Sequence, residues 1–209
     1  SEFISIDIEM AFADYNDVME VLENVVYRAV KAVKEECSKE LKVINYEPPD
    51  IKLPIKRYRY IDVVKTLQSV GMNIKIGDDI GTPELRAFHK ITGEEIYFII
   101  DWPDEIRPFY TMPKKDDSRF TESFDLTWRF LEIASGSTRV HIKDLLIERL
   151  RAKGLNPKNF EYFTRWFDYG MPPHAGWGMG LSRLALMLTG AKNVREVTAF
   201  PRDKKRLVP

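Results

Sequence analysis

A carboxylate, a hydroxyl and a guanidinium follow one another in the segment "RFLEIASGSTRVH", residues 129–141. Glu132 stands inside an apolar run, where an ionised carboxylate is costly to bury unless it is paired or holds a cation. Ser135 follows three residues later and Arg139 four residues after that. These side chains could hold a metal ion and an anionic ligand at the end of a strand, whereas a structural ion pair is the alternative that the spacing leaves open.

A second candidate group lies in "GWGMGLSRLALMLTG", residues 176–190, where three glycines precede Arg183 and a run of leucines. Glycine permits close approach of the backbone to a ligand, and a helix N-terminus favours an anion. The segment therefore indicates an anion-binding turn in front of a helix. An arginine that only tethers the helix to its neighbours is the alternative.

Alternating residues near the start of the chain predict a strand that would carry such groups. Apolar positions from Ile4 to Phe12 alternate with Ser5, Asp7 and Glu9, and a period of two is typical of a strand with two unlike faces. The acidic face fits either a polar cleft or a solvent-facing edge. Further strands are predicted in the segments "IYFIIDWP", "RPFYTMP" and "FTESFDLTWRFLEIAS".

Helical patterns flank these strands. Residues 17–36 carry one apolar stripe, and Asp17 with Glu20 is predicted as the capping box of this helix. Further helices are predicted at residues 60–71, at 141–153 with Gly154 beyond its end, from Asn156 onward, and at 181–188 before Gly190. Residues 60–96 are otherwise turn-rich and charged, which predicts a small subdomain inserted between core strands. Because the strands cluster rather than alternate with helices, we expect an α+β fold with a mostly antiparallel sheet flanked by helices.

Composition narrows the classes of function. The chain has 209 residues with 32 Lys+Arg and 32 Asp+Glu, so its net charge of zero gives no argument for nucleic-acid binding. The single cysteine, Cys37, excludes an internal disulfide and is interpreted as a bystander, since no histidine lies near it in sequence. No run approaches the roughly 20 apolar residues that span a bilayer, and no secretory signal is recognisable. We therefore expect a cytoplasmic protein without membrane contact.

Four segments together resemble a known family. In chain order they are "SEFISIDIEMAFAD", "LEIASGSTR", "YGMPPHAGWGMGLSRL" and "NVREVTAFPRDKKRL". They are similar to consecutive segments of class II aspartyl-tRNA synthetases of the archaeal/eukaryotic type, from the end of motif 2 through motif 3 to the C-terminus. The resemblance implies a class II synthetase catalytic domain that activates L-aspartate with ATP to aspartyl-adenylate and transfers it to the 3′ end of tRNA. It also implies Mg²⁺ as cofactor, tRNA-Asp as partner with tRNA-Asn open as a second acceptor, and a homodimer in the complete enzyme.

The resemblance assigns an ATP site residue by residue. Phe3 matches the aromatic residue that stacks on adenine. Gly180, Leu181, Ser182 and Arg183 match the motif 3 segment, in which the arginine lies against the adenine and reaches the γ-phosphate. Arg183 is therefore expected to be catalytic. Ser182 stands where the family usually has an acidic residue, which removes a charge beside Arg183.

The metal and amino-acid sites follow in the same way. Glu132 matches the glutamate that binds Mg²⁺ and, through it, the ATP phosphates, so it is also expected to be catalytic. Ser135 matches the serine that contributes to the metal and aspartate sites, and Arg139 matches the arginine that recognises the side-chain carboxylate of aspartate. His174 and Gly176 match a loop beside the amino-acid pocket, with a packed loop histidine as the alternative for His174.

Three elements of the family are not found in the sequence, namely motif 1, the Arg-x-Glu pair of motif 2 and the anticodon-binding OB-fold. We therefore expect the C-terminal portion of a longer enzyme, with a short paralogue that has lost ligation as the alternative. Other candidates are an asparaginyl-tRNA synthetase, a synthetase-related asparagine synthetase and a non-catalytic synthetase-derived module. The segments "ASGSTR" and "ESFDL" favour the aspartyl type. The basic segment 201–207 fits either contact with tRNA phosphates or a solvated or helix-capping charge run, and the resemblance implies that this segment also packs near the site.

Overall fold

The computed structural model describes residues 2–207, and within them the chain forms a single six-stranded sheet with seven α-helices. The strands are β1 (Ser5–Ala11), β2 (Arg57–Arg59), β3 (Ile96–Ile100), β4 (Ser123–Trp128), β5 (Leu131–Thr138) and β6 (His174–Gly180). The helices are α1 (Tyr15–Glu36), α2 (Ser38–Ile44), α3 (Tyr60–Ser69), α4 (Thr82–Thr92), α5 (Lys143–Ala152), α6 (Glu161–Thr164) and α7 (Leu181–Thr189).

The strands lie in the order β1-β6-β5-β4-β3-β2, and every neighbouring pair is antiparallel except the parallel pair of β2 and β3. The predicted α+β architecture with a mostly antiparallel sheet is confirmed. No helix within residues 2–207 is long and apolar enough to cross a membrane.

One face of the sheet packs on α1 and forms a hydrophobic core. Trp177, Phe124 and Leu126 of the strands join Leu22 and Val18 of the helix in this cluster. The buried indole of Trp177 donates a hydrogen bond to the carbonyl oxygen of Val18 over 2.9 Å. Because side chains alternate along a strand, the opposite face of the same strands carries polar residues.

A second hydrophobic cluster lies under α3 and α4. Tyr97 and Ile99 of β3 pack into it, whereas Phe98 between them belongs to the core on the α1 side. Helix α4 was not predicted from the sequence, in which this stretch is turn-rich and charged. The glycines responsible for that impression lie at the helix ends, since Gly81 is the N-cap and Gly93, at φ +69°, is the C-cap. The inserted subdomain at about residues 60–96 stays a prediction.

The start of α1 corrects the predicted capping box. The helix begins at Tyr15, and its cap is Asp14, whose carboxylate accepts hydrogen bonds from the backbone nitrogens of Asn16 and Asp17. In return, Asp17 accepts a bond from the Asp14 nitrogen over 2.9 Å. The chain reverses directly after β1, at Phe12 with φ +57°, so the capping residue comes three positions earlier than predicted.

The prediction of a strand in "RPFYTMP" is wrong. The segment makes only isolated bridges, between Thr111 and Arg139 and between Pro113 and Thr121, while residues 123–138 supply both β4 and β5. Pro108 and Pro113 have no backbone donor for a ladder, which limits pairing at this point. Other boundaries are confirmed, because Gly154 follows the end of α5 at φ +72° and Gly190 is the C-cap of α7.

Candidate active site

The glycine-rich segment is a strand, not the predicted turn or loop. In β6, Gly176, Gly178 and Gly180 lie directly opposite Glu9, Asp7 and Ser5 of β1. A Cβ atom on Gly176 would lie 2.3 Å from Cδ of Glu9, and one on Gly178 would lie 2.6 Å from Oδ1 of Asp7. The glycines therefore make room for two carboxylates on the neighbouring strand.

Gly136 has a similar steric role on β5. A Cβ atom at this position would lie 2.4 Å from the Phe124 ring and 2.7 Å from Cβ of Trp177. Any larger side chain would therefore collide with the core on the α1 side of the sheet. The glycine is required by packing and not by an unusual backbone conformation.

A β-bulge brings Glu132 and Ser135 to the same face of the sheet. Leu126 of β4 pairs with Ala134, but the next residue, Thr127, pairs with Glu132, so β5 carries one extra residue at this point. In a regular strand, residues three apart would face opposite sides. The extra residue turns Glu132 toward the polar face, which also carries Ser135.

A first cavity, of about 540 Å³, lies where β5, β6 and the N-terminus of α7 meet. Five of the six residues that the family resemblance assigns to ATP line it, namely Phe3, Glu132, Gly180, Ser182 and Arg183. In the first turn of α7, Nη1 of Arg183 donates to the backbone oxygen of Glu132 over 2.6 Å and lies 3.9 Å from its carboxylate. The sixth residue, Leu181, does not line the cavity, but its backbone nitrogen bonds to the oxygen of Ile4 beside Phe3.

A second cavity, of about 350 Å³, adjoins the first, and Ser5 and Gly178 line both. Ser135 and Arg139, which the resemblance assigns to the aspartate site, line the second cavity together with Asp7. Of the two alternatives for the acidic face of β1, the polar cleft is therefore the one observed at Asp7.

The guanidinium of Arg139 is fixed by two neighbours. Its Nη2 and Nε lie 2.7 Å and 3.1 Å from Oε1 of Glu9, and its Nη1 donates to Oγ of Ser137 over 2.6 Å. The Arg139 side chain is mostly buried, and the ring of Tyr110 lies 5.5 Å from its central carbon. Because these contacts fix the guanidinium, its remaining N–H groups are oriented in advance for a bidentate anion.

His174 and Gly176 lie outside the linings of both cavities. The ring of His174 is 2.9 Å from the carbonyl oxygen of Pro172, and its own backbone oxygen accepts from the nitrogen of Arg139. Gly176 acts across the strand by leaving room for Glu9. Both residues thus affect Arg139 through the backbone or through Glu9.

Sequence reasoning missed Asp125 and Arg107. Asp125 lies on β4 opposite Ser135, and its Oδ2 accepts from Nη2 of Arg107 over 2.7 Å. Nη1 of the same guanidinium lies 3.3 Å from Oγ of Ser135, and its central carbon lies 4.5 Å above the ring of Trp102. Like Glu132, Asp125 is a carboxylate inside an apolar segment, "ESFDL", and this pattern could have identified it as a candidate from the sequence.

The carboxyl of Glu132 has a raised pKa. Partial removal from water is the main cause and the charge of Asp125 the second, and together they raise the pKa of Glu132 to about 7 against the opposing effect of Arg183. The other oxygen of the Asp125 carboxylate, Oδ1, is buried without a hydrogen-bond partner among the described residues. Two neighbouring carboxylates of this kind would be stabilised by a cation.

Glu132, Asp125 and Ser135 fit Mg²⁺ as a partial set of ligands that phosphates and water would complete. No group of three or more His, Cys, Asp or Glu residues within residues 2–207 is placed to hold a metal ion by itself. Mg²⁺ usually binds proteins through one or two carboxylates and takes its remaining ligands from phosphates and water. Glu132, Asp125 and the hydroxyl of Ser135 match that incomplete set.

Comparison with known proteins gives the family. The model of tRNA synthetases class II (D, K and N) matches residues 1–204. The aspartate–tRNA(Asp/Asn) ligases of Sulfurisphaera tokodaii and Saccharolobus solfataricus are 59% and 58% identical to the chain over 209 residues. Each alignment covers 100% of the chain and 49% of the relative, so the chain spans about half the length of the curated relatives it matches.

Solved structures agree with this assignment. An aspartyl-tRNA synthetase from Entamoeba histolytica superposes with a TM-score of 0.94 at 34% identity, over 100% of this chain and 45% of that chain. An asparaginyl-tRNA synthetase from Pyrococcus horikoshii superposes with a TM-score of 0.90 at 30% identity, over 99% of this chain and 50% of that chain. With its polar sheet face, its two adjoining cavities and these matches along its length, the chain belongs to the class II tRNA synthetases of the D, K and N group.

Proposed function

We propose that this chain carries the amino-acid-activating site of an aspartate–tRNA ligase. The observation that supports the proposal is that the first and second cavities adjoin at Ser5 and Gly178. ATP in the first cavity and aspartate in the second would bring an α-phosphate and an α-carboxylate together at this border. Holding two reactants at such a border is the main contribution of a protein to a reaction of this class.

The proposed reaction has two steps. An oxygen of the aspartate α-carboxylate attacks the α-phosphorus of ATP, and the bond from that phosphorus to the bridging oxygen breaks. Pyrophosphate leaves with the bonding electrons, and aspartyl-adenylate remains. A hydroxyl of the 3′-terminal adenosine of tRNA then attacks the aspartyl carbonyl carbon, so that AMP leaves. Neither step requires a covalent bond to the protein.

Residues of the first cavity are proposed to bind ATP. The ring of Phe3 is exposed, and it offers a flat surface for adenine. Arg183 combines a guanidinium with the N-terminal turn of α7, and both features attract the phosphates. Glu132, Asp125 and Ser135 would hold Mg²⁺, which supplies charge neutralisation at the phosphates when bound.

Residues of the second cavity are proposed to bind aspartate. Arg139 would bind the side-chain carboxylate, since a guanidinium pairs better with a carboxylate than with a neutral amide. Its bonds to Glu9 and Ser137 would orient it. This charge preference favours aspartate over asparagine, although asparaginyl-tRNA synthetases have the same fold.

The acceptor is proposed to be tRNA-Asp, with tRNA-Asn as a second acceptor. Relatives at 59% and 58% identity are named as ligases for tRNA(Asp/Asn), whereas the relative from Thermoplasma volcanium, at 46% identity, is named for tRNA(Asp) alone. The identities therefore favour the broader acceptor range. A homodimer remains a prediction from the family resemblance, and a cytoplasmic location remains a prediction from the composition of the sequence.

The test is exchange of labelled pyrophosphate into ATP by the complete gene product that contains this sequence, with aspartate and asparagine assayed in parallel. Exchange with aspartate alone is the expected result. Exchange with asparagine alone would move the assignment to the asparaginyl branch. No exchange with either amino acid would reject the proposed activity in favour of a non-catalytic synthetase-derived module.

A further inference from the structure

The first cavity has a wall in which the family resemblance assigned no ligand-binding residue. Residues 194–203, which follow α7, contribute to its lining, and Phe200, Arg195 and Arg202 are among them. For the basic residues from 201 onward, the sequence left contact with tRNA phosphates or with solvent open, and the resemblance implied only that they pack near the site. Their place on the same cavity as Phe3 and Arg183 indicates a role in binding the small ligand.

Local bonds give this wall a defined shape. A short helical turn, Val194–Glu196, is capped by Asn193, whose side chain accepts from the nitrogen of Arg195. Nη2 of Arg195 lies 2.8 Å from Oδ2 of Asp203, which joins the two ends of the segment. The residues between these ends, Phe200 included, are therefore held as a closed loop at the edge of the cavity.

A further ion pair joins the wall to the segment that precedes β1. Nη1 of Arg202 lies 3.4 Å from Oε1 of Glu2. Glu2 is the neighbour of Phe3 in sequence, and Arg202 is two residues from Phe200. The ion pair therefore brings the segments that carry the two phenylalanines together at the rim of one cavity.

Both rings are left largely in water. Phe3 is 86% exposed and Phe200 is 68% exposed. Two exposed aromatic rings on one cavity form an apolar surface that a flat heterocyclic base would cover. We propose that Phe200 is a second base-contacting residue, which with Phe3 binds the adenine of ATP. This inference rests on the proposed function and adds a residue to its ATP site.

The experiment measures the affinity of ATP and of inorganic triphosphate for the complete gene product by titration calorimetry. The variants are Phe200→Ala, Phe200→Leu and Phe3→Ala, and Arg183→Ala reports on the phosphate end. Phe12→Ala is the matched control, because Phe12 is 83% exposed but does not line the first cavity. Thermal melting of each variant checks that it is folded.

Phe200→Ala and Phe3→Ala should each weaken ATP binding about tenfold, the effect expected for loss of one stacking contact, and leave triphosphate binding unchanged. Phe200→Leu should recover only part of the loss, and Phe12→Ala should have no effect. Arg183→Ala should weaken the binding of both ATP and triphosphate.

The contradicting outcomes separate the two proposals. Unchanged ATP affinity in Phe200→Ala, while Phe3→Ala and Arg183→Ala weaken it, would overturn the role of Phe200 and leave the proposed function intact. Equal losses of ATP and triphosphate in Phe200→Ala would also overturn it, since the base would not be involved. Absence of ATP binding by the unaltered protein would instead overturn the proposed function.

Discussion

Glu132 and Ser135 face the same side of the sheet although they are three residues apart on β5. The reason is the bulge at which Thr127, the residue after Leu126, pairs with Glu132 instead of Ile133. Without the extra residue, the Glu132 side chain would point into the core on the α1 side. The proposed metal site therefore depends on the pairing of β4 with β5 as much as on the identity of its ligands.

The raised pKa of Glu132 predicts how stability depends on pH without metal. A carboxyl whose folded-state pKa lies above its unfolded value stabilises the fold below the unfolded pKa, and this stability is lost as the pH rises through the folded pKa. The pKa of Glu132 is about 7, against an ordinary 4.5, so the loss should occur between about pH 4.5 and pH 7. The substitution Glu132→Gln should remove this pH-dependent loss of stability.

Urea unfolding in the presence of a chelator checks this prediction. The gain in unfolding free energy from Glu132→Gln should be larger at pH 8 than at pH 5. Glu148→Gln, on the exposed side of α5, is the control and should change stability equally at both values. An identical pH dependence in the Glu132 variant and the unaltered protein would contradict the raised pKa of this carboxyl.

Removal of Arg107 should lower the unfolding free energy, because Asp125 would then be buried as an unpaired carboxylate. The two side chains are 14% and 9% exposed, and they form an ion pair of 2.7 Å. Arg107→Ala leaves a buried carboxylate with no partner, for which we expect a loss of about 3–5 kcal/mol in unfolding free energy. The double variant Arg107→Met, Asp125→Leu should recover most of it. A double variant less stable than the single one would contradict the account.

Gly176→Ala should weaken aspartate binding through Glu9. The new Cβ would lie 2.3 Å from Cδ of Glu9 and 2.3 Å from the backbone oxygen of Ile8. We expect a stability loss of about 1–3 kcal/mol from overpacking and a raised KM for aspartate with little change in the KM for ATP. Glu9→Gln weakens the same contact to Arg139 without the clash, and it should reproduce the KM effect with a smaller stability loss. An unchanged KM for aspartate in both variants would contradict the claim that Gly176 and Glu9 affect aspartate binding through Arg139.

Arg139→Ala should abolish aspartate activation and leave ATP binding largely intact. Loss of a buried charge partner for the substrate carboxylate predicts a fall in kcat/KM for aspartate of about a hundredfold or more. Arg139→Lys should recover little, because an ammonium cannot replace a two-pronged guanidinium. Arg119→Ala, at an exposed ion pair, is the control. Equal activation by Arg139→Ala would refute its role.

The sequence predicted the parts of the fold that depend on local pattern. The acidic face of β1, the ends of α5 and α7 and the position of Arg183 in a first helical turn follow from periodicity, glycine and capping rules. Helix α4 was missed because the glycines that end it also resemble turn residues. The strand predicted in "RPFYTMP" was wrong because the two prolines of this apolar run cannot donate backbone hydrogen bonds to a neighbouring strand.

The parts of the site that depend on strand register could not be predicted. Gly176 was assigned to a loop beside the ligand, whereas its steric partner is Glu9, more than 160 positions away in sequence, through pairing of β1 with β6. The carboxylate of Asp125 was itself a signal in the sequence, but its position opposite Ser135 follows only from the pairing of β4 and β5, and its contact with Arg107 only from the tertiary structure. A single sequence contains no direct record of which residues stand opposite one another across strands.

The central claim is that the aspartate α-carboxylate attacks the α-phosphorus of ATP at the border of the two cavities. Aspartate labelled with ¹⁸O in its α-carboxylate tests it most directly, in a complete reaction with ATP, tRNA and the complete gene product. The account predicts AMP that carries one ¹⁸O atom and pyrophosphate that carries none, as measured by mass spectrometry. Unlabelled AMP, or label in the pyrophosphate, would contradict it.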